Sequence, residues 1–370
     1  MMGKIPVIDL SYQWQSVKTE SLSVLEEVLN QGQYILGNHV AALEQEVAEY
    51  TGNRYGVGVG NGTDALTLAL HGLGVGAGDE VITTPFTFFA TAEAIAAVGA
   101  IPVFADIDPK TFVITAETVK EKISSKTKAI LPVHIFGLMA DMKSLQELAR
   151  ADGLKLVEDA CQAIGAKQDS RGIGVYSDAA AVSFFPTKNL GSYGDGGMVL
   201  MEDEELAARI KRLRVHGSTQ KYRHAELGWN SRLDEIQAAL LRIKLRKLDE
   251  WTKQRQTLAA RYQEALNQVP IQLPSSPRDT EHVYHLYTIL AQDRDGLKQH
   301  LSNQQIGSSV YYPLPLHLQP ALAGLGYQKG ALPAAEDVSE HCLSLPLYPG
   351  MEEQQQDEVI KAVKAYFAGA

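Results

Sequence analysis

Between about residues 55 and 200 the chain alternates short apolar, β-branched runs with stretches whose apolar positions recur every three or four residues, the pattern of strands alternating with helices. The runs Tyr55–Val59, Glu80–Thr83, Ile101–Ala105, Ala129–His134, Lys155–Glu158, Ala179–Phe185 and Gly197–Met201 each read as a buried strand, which predicts a mostly parallel sheet covered on both faces. Ligands of such sheets lie beyond the carboxyl ends of the strands, and several of these runs end in Asp, Ser, His or Gly. Residues 234–265 carry helical periodicity with many charges and predict one long helix or two in succession, bridging two domains. After Pro270 the pattern changes to short pieces, strand-like at His285–Leu290 and Val310–Tyr312 and helical at Asp295–Asn303 and Glu353–Phe367. The expected fold is therefore α/β, with a large domain over residues 1–249, its mostly parallel central sheet flanked by helices, and a smaller C-terminal α/β domain over residues 250–370.

Composition narrows the classes of function. Of 370 residues 45% are hydrophobic and 21% charged, which excludes a disordered or fibrous chain. The longest apolar stretch, Ala94 to Ala105, is interrupted by Gly99 and Pro102 and falls short of the ~20 residues of a membrane span. The net charge is −10 and the 34 basic residues are scattered, so no nucleic-acid surface is expected. Cys161 and Cys342 are too few for a disulfide framework and have no metal-ligand spacing, so no metal is expected. The opening Met1–Pro6 leads into a short apolar stretch that ends at Asp9, without the apolar core of a secretory leader, and a cytoplasmic protein is expected.

Three segments carry candidate chemistry. Gly58-Val59-Gly60-Asn61-Gly62-Thr63-Asp64-Ala65 follows a strand and opens the apolar helix Leu66 to Leu73, where free amides and the helix dipole favour a phosphate. The same glycines match a dinucleotide turn in its Gly/Ala variant. Leu154 to Gln162 is a strand that delivers Asp159 at its end. A buried carboxylate needs a cationic partner, such as the protonated pyridine nitrogen of pyridoxal phosphate; capping of the next helix explains Asp159 equally well. In Ala181 to Gly191, Lys188 lies between a buried strand and a glycine-rich turn, a setting suited to a Schiff-base amine. Ser183 stands five residues earlier, within reach of a cofactor phosphate. The order phosphate turn, acid, lysine favours pyridoxal phosphate over a nicotinamide.

These segments resemble the fold-type I aminotransferases and, within them, the DegT/DnrJ/StrS nucleotide-sugar aminotransferase family. The resemblance runs from Gln33-Tyr34-Ile35-Leu36-Gly37 through Asn61 to Leu66, Glu158-Asp159-Ala160, Phe184 to Gly191 and Asn230 to Asp234, and ends in Tyr311-Tyr312-Pro313-Leu314-Pro315-Leu316-His317. It implies the pyridoxal-phosphate-dependent transferase fold type I. By the same resemblance Lys188 carries the cofactor and shuttles protons, Asp159 pairs with the ring nitrogen, Phe88 stacks on the ring and Gln162 packs at the ring or its phenolic oxygen. Gly62, Thr63, Asp64 and Ser183 would form the phosphate cup. Asn230 matches a residue that reaches the phosphate in the neighbouring subunit, which implies a homodimer with shared active sites. Arg232 is a candidate for the carboxylate of the amino donor, L-glutamate, with a structural ion pair as its other reading. Tyr311, Tyr312 and His317 match positions near a keto-sugar nucleotide, dTDP- or UDP-linked, the segment resembling members that act on 3-keto more than on 4-keto sugars. Related dehydratases carry histidine where this chain has Lys188, which favours transamination.

Two other readings stay open from the sequence. A nicotinamide-dependent oxidoreductase would use the Gly60 turn with Asp79 or Glu80 at the ribose. A non-catalytic regulator could retain the fold, since fold alone does not fix function. His134, at the end of a strand, faces the same sheet edge and is either a site residue or a satisfied core histidine.

Overall fold

The computed structural model describes residues 4–369. Its central sheet has seven strands: β1 (Tyr55–Val59), β2 (Glu80–Thr83), β3 (Ile101–Phe104), β4 (Thr127–Leu131), β5 (Lys155–Asp159), β6 (Ala179–Ser183) and β7 (Gly197–Met201). They lie in the order β1-β7-β6-β5-β4-β2-β3. Only β7 runs against its neighbours, and the pairs β2/β3, β2/β4, β4/β5 and β5/β6 are parallel. Helices α1 (Ser11–Gln31), α2 (Asn38–Thr51), α3 (Gly62–Gly72) and α4 (Ala90–Ala97) precede or separate the first strands. The α3 helix packs on β6 and β7 and buries residues on every side, which is why its sequence is apolar all round.

The strand centres lie where the apolar pattern puts them, and the ends differ for identifiable reasons. The expected strand 129–134 stops at Leu131, because Pro132 has no N–H for the ladder. The chain nevertheless stays in register with β5: the Pro132 carbonyl accepts from the Asp159 amide at 2.9 Å, and the His134 amide donates to the Asp159 carbonyl at 3.0 Å. The expected strand 179–185 stops at Ser183, where the turn bearing Lys188 begins. The stretch 234–265 forms two helices, Glu235–Leu245 and Leu248–Leu266. The first turns Ala238 and Leu241 to the core of the sheet; the second turns Leu258, Tyr262 and Leu266 to a separate core, so one straight helix could not serve both. Val310 to Tyr312 is a loop and not a strand.

That separate core gathers Tyr287, Ile289, Leu297, Leu343, Val359 and Val363 around β8 (Tyr287–Leu290) and β9 (Cys342–Leu345), which pair antiparallel. Ile5 joins it from the start of the chain, through an amide bond to Gln305 at 3.0 Å and a carbonyl bond from Gly307 at 2.7 Å. No helix among the described residues is long and apolar enough to cross a membrane.

Arg255, on the second of the two helices, links the elements that border the site. It is fully buried, and its guanidinium donates to the carbonyl oxygens of Tyr284 (3.2 Å), His285 (3.3 Å) and Leu347 (3.2 Å). Burial without a carboxylate lowers its pKa to about 10. We expect Arg255→Met to leave these carbonyls without a donor and to cost about 2–4 kcal/mol of stability. Urea unfolding of the cofactor-free protein measures this, and an unchanged midpoint would contradict it.

Candidate active site

The carboxyl ends of β1, β5 and β6 meet at a cavity of about 810 Å³ whose lining includes Gly62, Thr63, Asp64, Phe88, Asp159, Gln162, Ser183, Lys188, Tyr311 and Tyr312. Their approach is closer than side chains allow at two glycines. A Cβ on Gly62 would stand 2.8 Å from the Ser183 Cβ and 3.0 Å from the Cys161 sulfur, and one on Gly197 would stand 2.3 Å from the Asn61 carbonyl oxygen. Glycine is therefore required where the turn, β6 and β7 touch.

At the turn, Asn61 caps α3 by accepting from the Asp64 amide at 2.8 Å, and its carbonyl accepts from the Ala65 amide at 3.1 Å. The amides of Gly62 and Thr63 have no acceptor among the described residues and remain the free positive end of the helix. The Asp64 carboxylate lines the cavity and is engaged. It accepts from the Ser231 hydroxyl at 2.6 Å, while Ser231 accepts from the Gly60 amide at 2.9 Å, so Asp64 ties the turn to the segment that carries Asn230 and Arg232.

Asp159 is 6% exposed, and no cation pairs with it among the described residues. One oxygen accepts from the Thr91 hydroxyl at 2.8 Å and the other from the Cys161 amide at 3.2 Å. Because Thr91 gives its proton to the carboxylate, the neighbouring Thr87 hydroxyl, 3.1 Å away, must donate to Thr91. Thr87 and Thr91 lie one turn apart where α4 begins, and neither stands out in sequence as anything but part of an aromatic-rich loop.

Lys188 follows β6 in a turn closed by its own amide on the Phe185 carbonyl at 2.8 Å and by the Ser192 amide on the Phe184 carbonyl at 2.7 Å. Its amine lines the cavity, and burial holds its pKa below the usual lysine range, against the opposing pull of Cys161 and Asp159. Gln162 is fixed at both ends of its amide: the oxygen accepts from the Phe136 amide at 2.8 Å, and the nitrogen donates to the Tyr312 hydroxyl at 3.1 Å. Tyr312 thus keeps its own proton to donate, and burial raises its pKa against the lowering effect of the Gln162 bond. The Phe88 ring, 60% exposed, stands 6.3 Å from that of Tyr312 at the cavity mouth.

Several residues singled out in the sequence lie apart from this cavity. His317 is buried against Phe104 and Tyr327 with its Nε2 on Glu336 at 3.0 Å, so its ring does not border the cavity. Asn230 is exposed and Arg232 half-buried, and neither lines the cavity within one chain. His134 is the satisfied core histidine of its two readings: its Nε2 meets Glu158 at 2.9 Å and its Nδ1 accepts from the Ala140 amide at 3.2 Å. Asp79, which a dinucleotide site would need at the ribose, accepts from the Gly76 amide at 2.9 Å, and Glu80 accepts from Ser124; neither borders the cavity. Conversely, Cys161, His285 and Thr91 line the cavity although nothing in the local sequence marks them.

The residues present fit pyridoxal phosphate. The free amides of Gly62 and Thr63 suit its phosphate, the unpaired carboxylate of Asp159 suits a protonated ring nitrogen, and the unpartnered amine of Lys188 suits its carbonyl. Fold and site together define a pyridoxal-phosphate-dependent enzyme of the aminotransferase fold. The chain belongs to the DegT/DnrJ/EryC1/StrS aminotransferase family, whose sequence model matches residues 15–364. It is 50% identical over 98% of its length to a pleiotropic regulatory protein of Geobacillus stearothermophilus, covering 98% of that protein. It is 44% identical over 98% of its length to dTDP-3-amino-3,4,6-trideoxy-alpha-D-glucose transaminase of Streptomyces venezuelae, covering 96% of it. The crystal structure of S. venezuelae DesV in complex with a ketimine intermediate superposes with a TM-score of 0.97 at 44% identity, over 99% of each chain.

Thr91→Val removes the one hydroxyl that donates to Asp159 while keeping the side-chain volume; cofactor affinity should fall by about tenfold, the worth of a hydrogen bond to a buried charge. Titration of the cofactor-free protein with pyridoxal phosphate tests this, and an unchanged affinity would exclude it. The lowered pKa of Lys188 also means that its neutral, nucleophilic form persists to lower pH than that of an ordinary lysine amine. Borohydride trapping of added pyridoxal phosphate at Lys188 should therefore persist to lower pH than trapping on a free lysine peptide. Peptide mapping across pH would reveal equal profiles if burial had no such effect.

Proposed function

We propose that the protein transfers the amino group of L-glutamate to a keto-sugar nucleotide, dTDP- or UDP-linked and with the 3-keto position favoured over the 4-keto, giving 2-oxoglutarate and an amino-sugar nucleotide. The observation that carries this reading is the pairing, in one cavity, of an unpartnered lysine amine with a buried carboxylate that lacks a cation. The transaminase from S. venezuelae, with an amino group at carbon 3 of its sugar, supports the choice of substrate.

In this reading the cofactor, when bound through Lys188, supplies an electron sink that acidifies the C–H bond next to the amino group. Asp159, held by Thr91 and the Cys161 amide, would pair with the protonated ring nitrogen. The amides of Gly62 and Thr63, with the Ser183 hydroxyl, hold the phosphate, while Phe88 and Gln162 confine the ring. The Lys188 amine, when free, would take the α-proton of the donor on Nζ and hand it on, and the same amine would serve in the reverse sense for the keto sugar. Tyr312 donates a hydrogen bond into the cavity, Tyr311 borders the sugar, and His317 acts from behind by packing that segment onto Glu336.

The division at residues 249 and 250 would give the cavity a floor from the large domain, with His285, Tyr311 and Tyr312 from the small one. A second copy completes the site in this proposal: Asn230 reaches the neighbouring phosphate and Arg232 receives the donor's carboxylate. Exposed Tyr34, Ile35, Phe185, Tyr193 and Leu227 support an apolar contact of this kind. The site of action is taken to be the cytoplasm. The regulatory name of one relative suggests a second reading, a regulator without activity; the retained lysine, carboxylate and cavity speak against it.

The visible spectrum separates these readings. With pyridoxal phosphate the protein should absorb at about 410–430 nm, and L-glutamate should move the band to about 330 nm. Lys188→Ala should fold, lose the lysine-bound band and lose turnover; substantial residual transamination by that variant would overturn the assignment. Comparing 3-keto with 4-keto sugar nucleotides then decides the carbon.

A further inference from the structure

His285 is 5% exposed and lines the same cavity as Lys188, and neither the phosphate turn nor the carboxylate network uses it. Its protonation is fixed by neighbours. The Asn189 amide nitrogen donates to the Val283 carbonyl at 3.1 Å, a partner that can only accept, so the amide oxygen must face the other way. That oxygen meets the His285 Nδ1 at 3.2 Å, which is a hydrogen bond only if Nδ1 carries the proton. A neutral imidazole has one N–H, so Nε2 presents a bare lone pair, and it has no partner among the described residues.

The ring also stays neutral. Burial pushes its pKa well below the usual value, and the two cations that face it, Lys188 and Arg255, push the same way. Arg255 holds the His285 carbonyl, so the ring hangs from a fixed backbone. Among cavity donors, the Cys161 sulfur lies against the Ala181 carbonyl at 3.7 Å, while the Tyr312 hydroxyl accepts from Gln162 and keeps its own proton. The Lys188 amine, one residue from Asn189, is left without a partner.

We propose that His285 is a positioning residue for Lys188: its Nε2 accepts an N–H of the released amine and so aims the nitrogen lone pair at the carbon that gives up its proton. No proton passes to the imidazole. A carboxylate in this place would stabilise the ammonium and weaken the base, whereas a neutral acceptor orients the amine without adding charge. Asn189 acts one step back by fixing the tautomer. The inference rests on Lys188 being the proton carrier proposed above.

The test begins with nitrogen-15 NMR of the histidines across pH, in cofactor-free and cofactor-loaded protein. His285 should show Nδ1–H with an unprotonated Nε2 near neutral pH; an Nε2–H tautomer or a doubly protonated ring would overturn the proposal without any variant. His285→Phe should keep the cofactor absorption band and affinity, slow the half-reaction with glutamate by about 10- to 100-fold, and enlarge the isotope effect with α-deuterated glutamate. His285→Gln, which restores an acceptor, should recover part of the rate. Asn189→Asp should let the ring protonate and create a new acid-side loss of rate. An unchanged rate and isotope effect in His285→Phe sinks the positioning role alone, whereas turnover by Lys188→Ala sinks the reading beneath it. If His285→Phe fails to fold, the NMR tautomer and the Gln variant's rate and isotope effect decide, equal values to wild type together with an Nε2–H ring counting against.

Discussion

A carboxylate taken out of water without a cation is unfavourable as an anion, and the arrangement around Asp159 follows from that constraint. The protein supplies two hydrogen bonds and, among the described residues, no cation in contact: one bond comes from the Thr91 hydroxyl and one from the Cys161 amide. The backbone on either side is held to the segment after β4, through the Pro132 carbonyl and the His134 amide. Three parts of the chain, the start of α4, the segment after β4 and the end of β5, thus converge on a group that is left one positive charge short. A cofactor with a protonated ring nitrogen supplies that charge, so binding and local stability are coupled by mass action.

The sequence exposed the parts of this arrangement that break a local rule. Lys188 follows a buried strand, where a snorkelling lysine has no apparent use, and Asp159 ends one. Glycines at 60 and 62 mark a turn where no side chain fits, and the Ser183 contact confirms the crowding at Gly62. Residues that act through partners far along the chain left no such mark. Thr91 meets a carboxylate 68 positions away, Gln162 meets Tyr312 at a separation of 150, and His285 meets Asn189 at 96. A one-dimensional pattern carries the period of a strand or helix but not which side chain lies opposite another across the sheet edge. His317 shows the reverse case: its motif placed it by the sugar, and the fold turned its ring into a small apolar cluster with Phe104 and Tyr327, where Glu336 takes its Nε2.

The strand limits carry a similar lesson. Apolar character continues through Val133 and Phe184, yet the ladders stop at Leu131 and Ser183. At the first a proline removes a donor; at the second the chain must leave the sheet so that Lys188 can enter the cavity. Buried character outlasts the regular strand wherever a loop is itself packed, as at Phe184, which is fully buried beyond the end of β6 while its amide still donates to the Gly196 carbonyl at 2.8 Å.

The polar groups of the cavity divide by function in a way that bears on two substrates of unequal size. At the inner end, charge is confined to Asp159 and Lys188, and the neighbouring side chains carry none: Gln162 is oriented by the Phe136 amide, and His285 is kept neutral by burial and by the nearby cations. Their hydrogen-bond senses are fixed, with Tyr312 a donor and His285 an acceptor. An amino donor and a keto sugar must both place one carbon against this inner end, so it cannot tell them apart except by that carbon. Discrimination therefore falls to the rest of the lining, where Ile8, Phe88, Glu93 and Tyr311 stand. That division lets the chemistry stay constant while the rim varies, which is how one fold can serve different sugars without altering the lysine, the carboxylate or the bonds that hold them.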